Sequence, residues 1–272
     1  MASPEVNGRR WRYAFASAIG TSHVRSGDPC QDACVCEVFE VPRRGDVLVA
    51  VAADGAGSAK LSQFGSSETC RFILERLKHL LCSGRDVLEI TRDVATEVIL
   101  EAQEHLRITA EKLDATMRDL ACTVVAAVVA AEGAAFFQVG DGVAIVGPRT
   151  EPINEFSWIF WPDRGEYANT TTFLSEEHVT EHLQHAAVPY GIDELAVLTD
   201  GIQNLVLDYK EHAAHAPFFS RMMTPLRARS DAGHIESLST ALAAYLDSPS
   251  INERTDDDKT LLLASRRAPE DR

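Results

Sequence analysis

The sequence predicts an α+β fold in which mainly antiparallel sheet packs against helices. Three observations carry this. Apolar strands stand at both ends of the chain, two long helical stretches are inserted between them, and no alternating strand–helix rhythm of a parallel sheet appears.

Taken in order, Trp11, Tyr13 and Phe15 alternate with Arg12, Ala14 and Ala16, which reads as a strand with one apolar face. Turn formers from Gly20 to Pro29 read as a loop. Val47 to Ala53 is an almost continuous apolar run ending in Asp54-Gly55, the pattern of a buried strand with a polar tip. Ser62 to Cys82 carries Phe72, Ile73, Arg76, Leu77, Leu80 and Leu81 at helical spacing, and Ser83-Gly84 stops it. Val87, Leu88, Ile90, Val94, Val98 and Leu106 mark a second long helix over about 87–113. Ala121 to Ala131 and Ala134 to Val139 flank Glu132-Gly133 as a hairpin. Ala144 to Val146 adds a strand. Ser157 to Trp161 has strand propensity, interrupted by Pro162 and Gly165. Leu195 to Thr199 is an apolar strand ending in Asp200-Gly201, Leu238 to Leu246 is helical, and Thr260 to Ala264 is the last strand. There is no internal repeat and no low-complexity linker, so one domain over residues 1–272 is the simplest organisation.

Composition narrows the function. With 45% hydrophobic and 25% charged residues the chain can build a core. A net charge of −15 and no basic stripe exclude a nucleic-acid backbone binder. The N-terminal segment lacks the apolar core of a signal peptide, and the longest apolar run, Val124 to Ala131, is too short for a bilayer. A cytoplasmic protein without membrane contact is the expectation. Cys30, Cys34 and Cys36 lie close together, but with no CxxC pair and no fourth ligand the six cysteines read as free thiols rather than a zinc site.

The chemistry-bearing feature is acidic. Asp54 and Asp200 follow buried strands, Asp257 precedes one, and Asp141 follows the strand ending in Val139-Gly140. Carboxylates converging at a sheet edge repel one another and shift each other's pKa, and a hard divalent cation such as Mg²⁺ or Mn²⁺ removes that conflict. Asp-Gly is also the commonest turn dipeptide, so each pair alone has a turn reading. His178, His182 and His185 fall at helical spacing and read as a solvated helix face. Phe156, Trp158, Phe160 and Trp161 read as core or edge packing, and Phe218, Phe219, Met222 and Met223 as a helix packed on the sheet. Neither a Gly-x-Ser-x-Gly elbow nor a Walker loop is present.

The ordered set of motifs resembles the type-2C, metal-dependent protein serine/threonine phosphatases. The resemblance rests on Gln31-Asp32, Asp54-Gly55-Ala56-Gly57-Ser58, Cys122-Thr123-Val-Val-Ala126, Val139-Gly140-Asp141-Gly142, Thr199-Asp200-Gly201 and Asp257-Asp258-Lys259-Thr260. Gly165 to Leu174 resembles a bacterial branch of the family, and the likeness covers about residues 11–265. It implies a four-layer α-β-β-α sandwich with two central antiparallel sheets. It also implies hydrolysis of phosphoserine and phosphothreonine in proteins by a water activated between two divalent metals. In that scheme Asp54 bridges the metals, and the Gly55 carbonyl binds one. Asp200 and Asp257 hold the other, Asp32 acts nearby, and Asp141 helps hold a third. The substrates would be those of a serine/threonine kinase.

The sequence departs from the family in four places. Gly27 and Asp28 stand where many members carry a phosphate-gripping arginine, leaving Arg25 or His23 as substitutes. Ala56 stands where animal members carry a histidine as general acid, a task left to a metal-bound water or to His23. Ser58 replaces a glycine and Asp258 an asparagine. A catalytically silent phosphoprotein-binding relative and a small-molecule phosphoesterase are the rival expectations.

Overall fold

The structure is a computed structural model that describes residues 8–42, 44–148, 155–162 and 171–268. The chain opens with β1 (Arg10–Ala18), α1 (Thr21–Ser26), β2 (Ala33–Val41) and β3 (Gly45–Ala53). Two long helices follow, α2 (Ser62–Cys82) and α3 (Arg92–Lys112). Next come β4 (Val124–Val129), β5 (Ala134–Val139), β6 (Val143–Pro148), β7 (Ser157–Trp158), β8 (Gln184–Val188) and β9 (Ile192–Leu198). Short α4 (Gln203–Val206), β10 (Leu207–Asp208) and β11 (Ala213–Ala214) lead into α5 (Ala216–Arg227). The chain then forms β12 (Gly233–His234), α6 (Glu236–Leu246), α7 (Pro249–Asn252) and β13 (Lys259–Arg267).

Two sheets form, one of order β12-β1-β13-β9-β6-β7 and one of order β2-β3-β4-β5-β8. All pairings within them are antiparallel except the short β1–β12 contact. Strand side chains alternate between faces, so a strand apolar at every position is buried on both. On β3, Val47, Val49, Val51 and Ala53 face α2 and α3, while Leu48, Ala50 and Ala52 face the other sheet. On β13, Leu262 and Ala264 point between the sheets, and Leu261 and Leu263 point toward α5 and α6. Three core layers therefore lie between four structural layers: α2/α3, sheet, sheet, α5/α6. This is the expected four-layer sandwich.

Several expectations are corrected. The segment from Gly20 to Pro29 is not all loop, because Thr21–Ser26 forms α1, closed by Gly27 in the left-handed region at φ 82. The helix expected over 87–113 is broken. Asp86 and Glu89 form a capping box around a single turn at Val87–Glu89, and Thr91 caps α3 anew through its hydroxyl. His178, His182 and His185 do not share a helix face: Val179–Glu181 is one short turn and His185 lies on β8. Only Ser157–Trp158 of the 157–161 stretch is strand. Strands β2 and β8, at the edges of their sheet, have no counterpart in the sequence reading. Gly165 to Thr170, the start of the segment resembling a bacterial branch, lie outside the described residues.

Candidate metal centre

Antiparallel register brings the acidic residues together. Ala33 opposite Ala53 sets Asp32 beside Asp54. Val124 pairs with Val139, Val143 with Leu198, and Leu198 with Leu261. The connections carrying Asp32, Asp54, Asp141, Asp200 and Asp257 therefore all leave the same end of the sandwich. Their sequence separation, more than two hundred residues, is removed by pairing alone.

At this end Asp54, Asp141 and Asp200 each offer a carboxylate oxygen, and the three oxygens lie within 4.8 Å of one another. The backbone of Asp54 is locked to the strand entry beside it: its N–H donates to Thr123 Oγ1 at 3.1 Å, and the Thr123 N–H donates to its carbonyl at 2.8 Å. Asp141 is held by Thr171 Oγ1, which donates to Oδ2 at 2.8 Å, and by Gln203 Nε2, which donates to its carbonyl. Asp32 is buried, and its Oδ2 accepts from the hydroxyls of Thr199 (2.7 Å) and Thr260 (2.8 Å). Its Oδ1 is buried with no donor among the described residues.

The glycines of the Asp-Gly pairs are not there for turn conformation. Among them, neither Gly55 nor Gly201 has a positive φ. A Cβ on Gly201 would stand 1.8 Å from the carbonyl oxygen of Asp258, and one on Gly55 would stand 2.7 Å from that of Gln31. Each glycine lets one acidic connection lie against another.

The electrostatics of this cluster are those of crowded acids. Burial pushes the Asp32 carboxyl up to about 7, against the pull of its two hydroxyl donors. Burial and then Asp141, Asp257 and Asp32 raise Asp200 to about 7 as well. Asp54 is raised well above the ordinary carboxylate range by burial and by Asp32, Asp200 and Asp257. Asp257 is raised by its own partial burial. Among the described residues no lysine or arginine pairs with any of these five. Asp54 can hydrogen bond to Asp32 and Asp200 only while protons are shared among the three. An all-oxygen donor set with an orphaned buried oxygen fits a hard divalent cation, which would replace those protons.

The remaining site residues fall into two groups. Asp257 is exposed and stands outside the tight trio, although its charge acts on Asp54 and Asp200. Arg25 turns away from the cluster: its Nη2 donates to Asp256 Oδ2 at 3.1 Å, and both side chains are about two-thirds exposed. His23 stays close, with Nδ1 at 3.0 Å from Asp258 Oδ2. Asp258 itself, 2% exposed, accepts from the backbone N–H of Gly20 (2.6 Å) and of Gln31 (2.5 Å). Sequence reasoning gave no role to Asp258, Gln203 or the hydroxyls of Thr199 and Thr260. For the threonines a signal existed: each stands within three residues of an acidic candidate at a strand end.

Comparisons with known proteins bear on the family and the fold. Residues 19–247 match the family described as Protein phosphatase 2C. The chain is 32% identical over 254 residues to Serine/threonine-protein phosphatase 3 of Escherichia coli (strain K12), spanning 93% of this chain and 98% of that protein. The fold is similar to that of serine/threonine phosphatase Stp1 from Staphylococcus aureus, at 16% identity and TM-score 0.57, covering 93% of this chain and 94% of that one. It is also similar to serine-threonine phosphatase 2C from Toxoplasma gondii, at 13% identity and TM-score 0.61, covering 98% and 96%. With the motifs in order, the acids gathered at one end and the match covering most of its length, the chain belongs to the protein phosphatase 2C family.

Proposed function

We propose that this protein hydrolyses phosphoserine and phosphothreonine esters in proteins, using Mg²⁺ or Mn²⁺ ions held by Asp54 together with Asp32, Gly55, Asp200 and Asp257, and a third ion beside Asp141. The single observation that carries this reading is the trio of carboxylate oxygens within 4.8 Å of one another, with no cationic side chain among the described residues to neutralise them. When bound, divalent ions supply the Lewis acidity that neutralises phosphoryl oxygens and lowers the pKa of water.

The chain's own residues supply position. Thr199 and Thr260 hold one oxygen of Asp32 and leave the other buried with no donor among the described residues. Thr123 fixes Asp54 at the end of β3, and Gln203 and Thr171 fix Asp141. A site aligned by secondary structure in this way has its charges in place before substrate arrives, which is where most of the catalytic effect of an electrostatic site originates. The natural substrates are those of a serine/threonine kinase in the same cytoplasm. Among the described residues no helix is long and apolar enough to cross a membrane.

The test is release of phosphate from a phosphoserine peptide with Mn²⁺ present. EDTA is expected to abolish it, and Asp54→Ala to lower it by roughly 10²-fold or more. Activity that persists in EDTA, or that survives Asp54→Ala, sinks the reading.

A further inference from the structure

Helix α5 packs on the sheet with only part of its apolar set. Phe219 and Met223 are fully buried, whereas Met222 faces a cleft between α5 and α6. The cleft encloses about 190 Å³. Its floor is Ala14 of β1 and Leu263 of β13, which are register partners, with Leu242 of α6 beside them. Ala14 below and Ala241 at the rim are too small to fill it. Pro225 lies inside α5 and has no N–H for the Arg221 carbonyl one turn earlier, so that carbonyl lacks its usual helical donor. Ala14 stands four residues along β1 from Ala18, about 13 Å from the end that gathers the acids. The cleft is therefore separate from the metal centre.

The walls of the cleft are apolar and its rim is cationic. Arg221 and Tyr245 line it, and Arg254 stands near enough that its charge acts on Tyr245, as does that of Arg221. Burial raises the Tyr245 hydroxyl above its ordinary value, so it stays protonated and able to donate. Among the described residues, neither guanidinium nor the Tyr245 hydroxyl makes a hydrogen bond or an ion pair. In a chain of net charge −15, two arginines without a paired acid beside an open apolar cleft are a local excess of positive charge.

We propose that this cleft is a docking site for an acidic peptide segment of a partner protein, taking one large apolar side chain of that segment between α5 and α6 and its flanking carboxylates on Arg221, Arg254 and the Tyr245 hydroxyl. The volume fits such an anchor. An apolar cavity of about 150 Å³ takes up benzene, whereas sites for drug-sized molecules run to about 300–1,000 Å³. One apolar anchor seated in a pocket and ringed by polar contacts is how interface energy is usually concentrated. The two guanidiniums attract carboxylates and repel a basic segment, so charge selects the partner. Met222 gives the wall an adaptable surface for the anchor.

The experiment is fluorescence anisotropy of a labelled pentapeptide, a leucine flanked by two glutamates on each side, titrated with the full chain. Saturable binding is expected. Replacing the leucine by serine, or the glutamates by glutamines, should weaken it roughly tenfold or more. Arg221→Gln should weaken it roughly fivefold or more. Ala241→Leu should abolish it, because the added side chain enters the cleft. Ala241 is exposed on α6 and leucine is a good helix former, so Tm should not fall in this variant. Binding that survives Ala241→Leu, or that is as tight for the glutamine peptide, overturns the proposal. Absence of binding by the wild type overturns it too. Saturable uptake of phenylbutyrate in place of the peptide would then give the cleft to a small molecule, and self-association abolished by Ala241→Leu would give it to a second copy. None of these outcomes touches the phosphatase reading.

Discussion

Strand β9 carries acids at both of its ends, and they live in opposite environments. At its start Asp193 and Glu194, each 1% exposed, are surrounded by arginines. Arg227 grips Glu194 through Nε and Nη2 at 2.8 and 2.7 Å, Arg267 pairs with Glu194, Arg9 pairs with Asp193, and Ser265 donates to Glu194 at 3.1 Å. Just past its other end Asp200 meets Asp54 and Asp141, with no cationic partner among the described residues. Asp200 lies only six positions beyond Glu194, yet the acids at one end are neutralised and those at the other are not. Buried acids with fixed guanidinium partners hold the fold together. Buried acids facing only other acids leave room for a mobile cation, and that room is what a metal-dependent enzyme needs.

The largest expected effect breaks the neutralised end. Glu194→Ala leaves Arg227 and Arg267 half-buried without their carboxylate, and should cost about 3–5 kcal/mol of stability. That corresponds to a fall in Tm on the order of 10 °C by calorimetry. Activity per folded molecule should stay near wild type. Next is the support beneath the other end. Thr199→Val removes a hydroxyl donor from Asp32 and the acceptor of the buried Thr260 N–H, and should weaken Mn²⁺ binding roughly 10–100-fold by calorimetric titration.

A third prediction concerns pH. In metal-free protein Asp32 and Asp200 titrate near 7, above the ordinary value of about 3.9. Between those values the folded state holds more protons than the unfolded state, so stability falls as pH rises through the window. In EDTA the Tm should be lower at pH 7.5 than at pH 5, and Mn²⁺ should raise it more at pH 7.5. A metal-free Tm that rises across that range would contradict the unneutralised site. The smallest effect is expected at Arg25, whose pair with Asp256 is solvent-screened. Arg25→Ala should leave Tm unchanged and kcat within about twofold.

The layers were legible where burial alone dictates the pattern. Val47 to Ala53 and Val124 to Val129 are apolar at every position because both faces are covered, and Ser62 to Cys82 has matching bounds in sequence and structure. Edge strands were not legible. Along β2 the run Ala33-Cys-Val-Cys-Glu-Val-Phe-Glu-Val41 places Glu37 outward against Lys78, and its partial burial blurs the alternation. Helix α1 has no apolar stripe to read, since polar bonds to a turn more than two hundred residues away hold it. The acids themselves were visible as strand-end residues. What gathers them is strand register, and sequence periodicity carries no register between distant strands. The part played by Asp258 was hidden for the same reason, since Gly20, Gln31 and His23 reach it only in three dimensions.

The position of β13 has a consequence for biosynthesis. The last strand of the chain lies between the first, β1, and β9, in the middle of its sheet, and the turn before it carries Asp257 and Asp258. During synthesis β1 and β9 emerge well before the strand that joins them. A nascent chain therefore has neither a closed second sheet nor a complete acid cluster until β13 has emerged. No phosphate can be removed before that strand has joined β1 to β9.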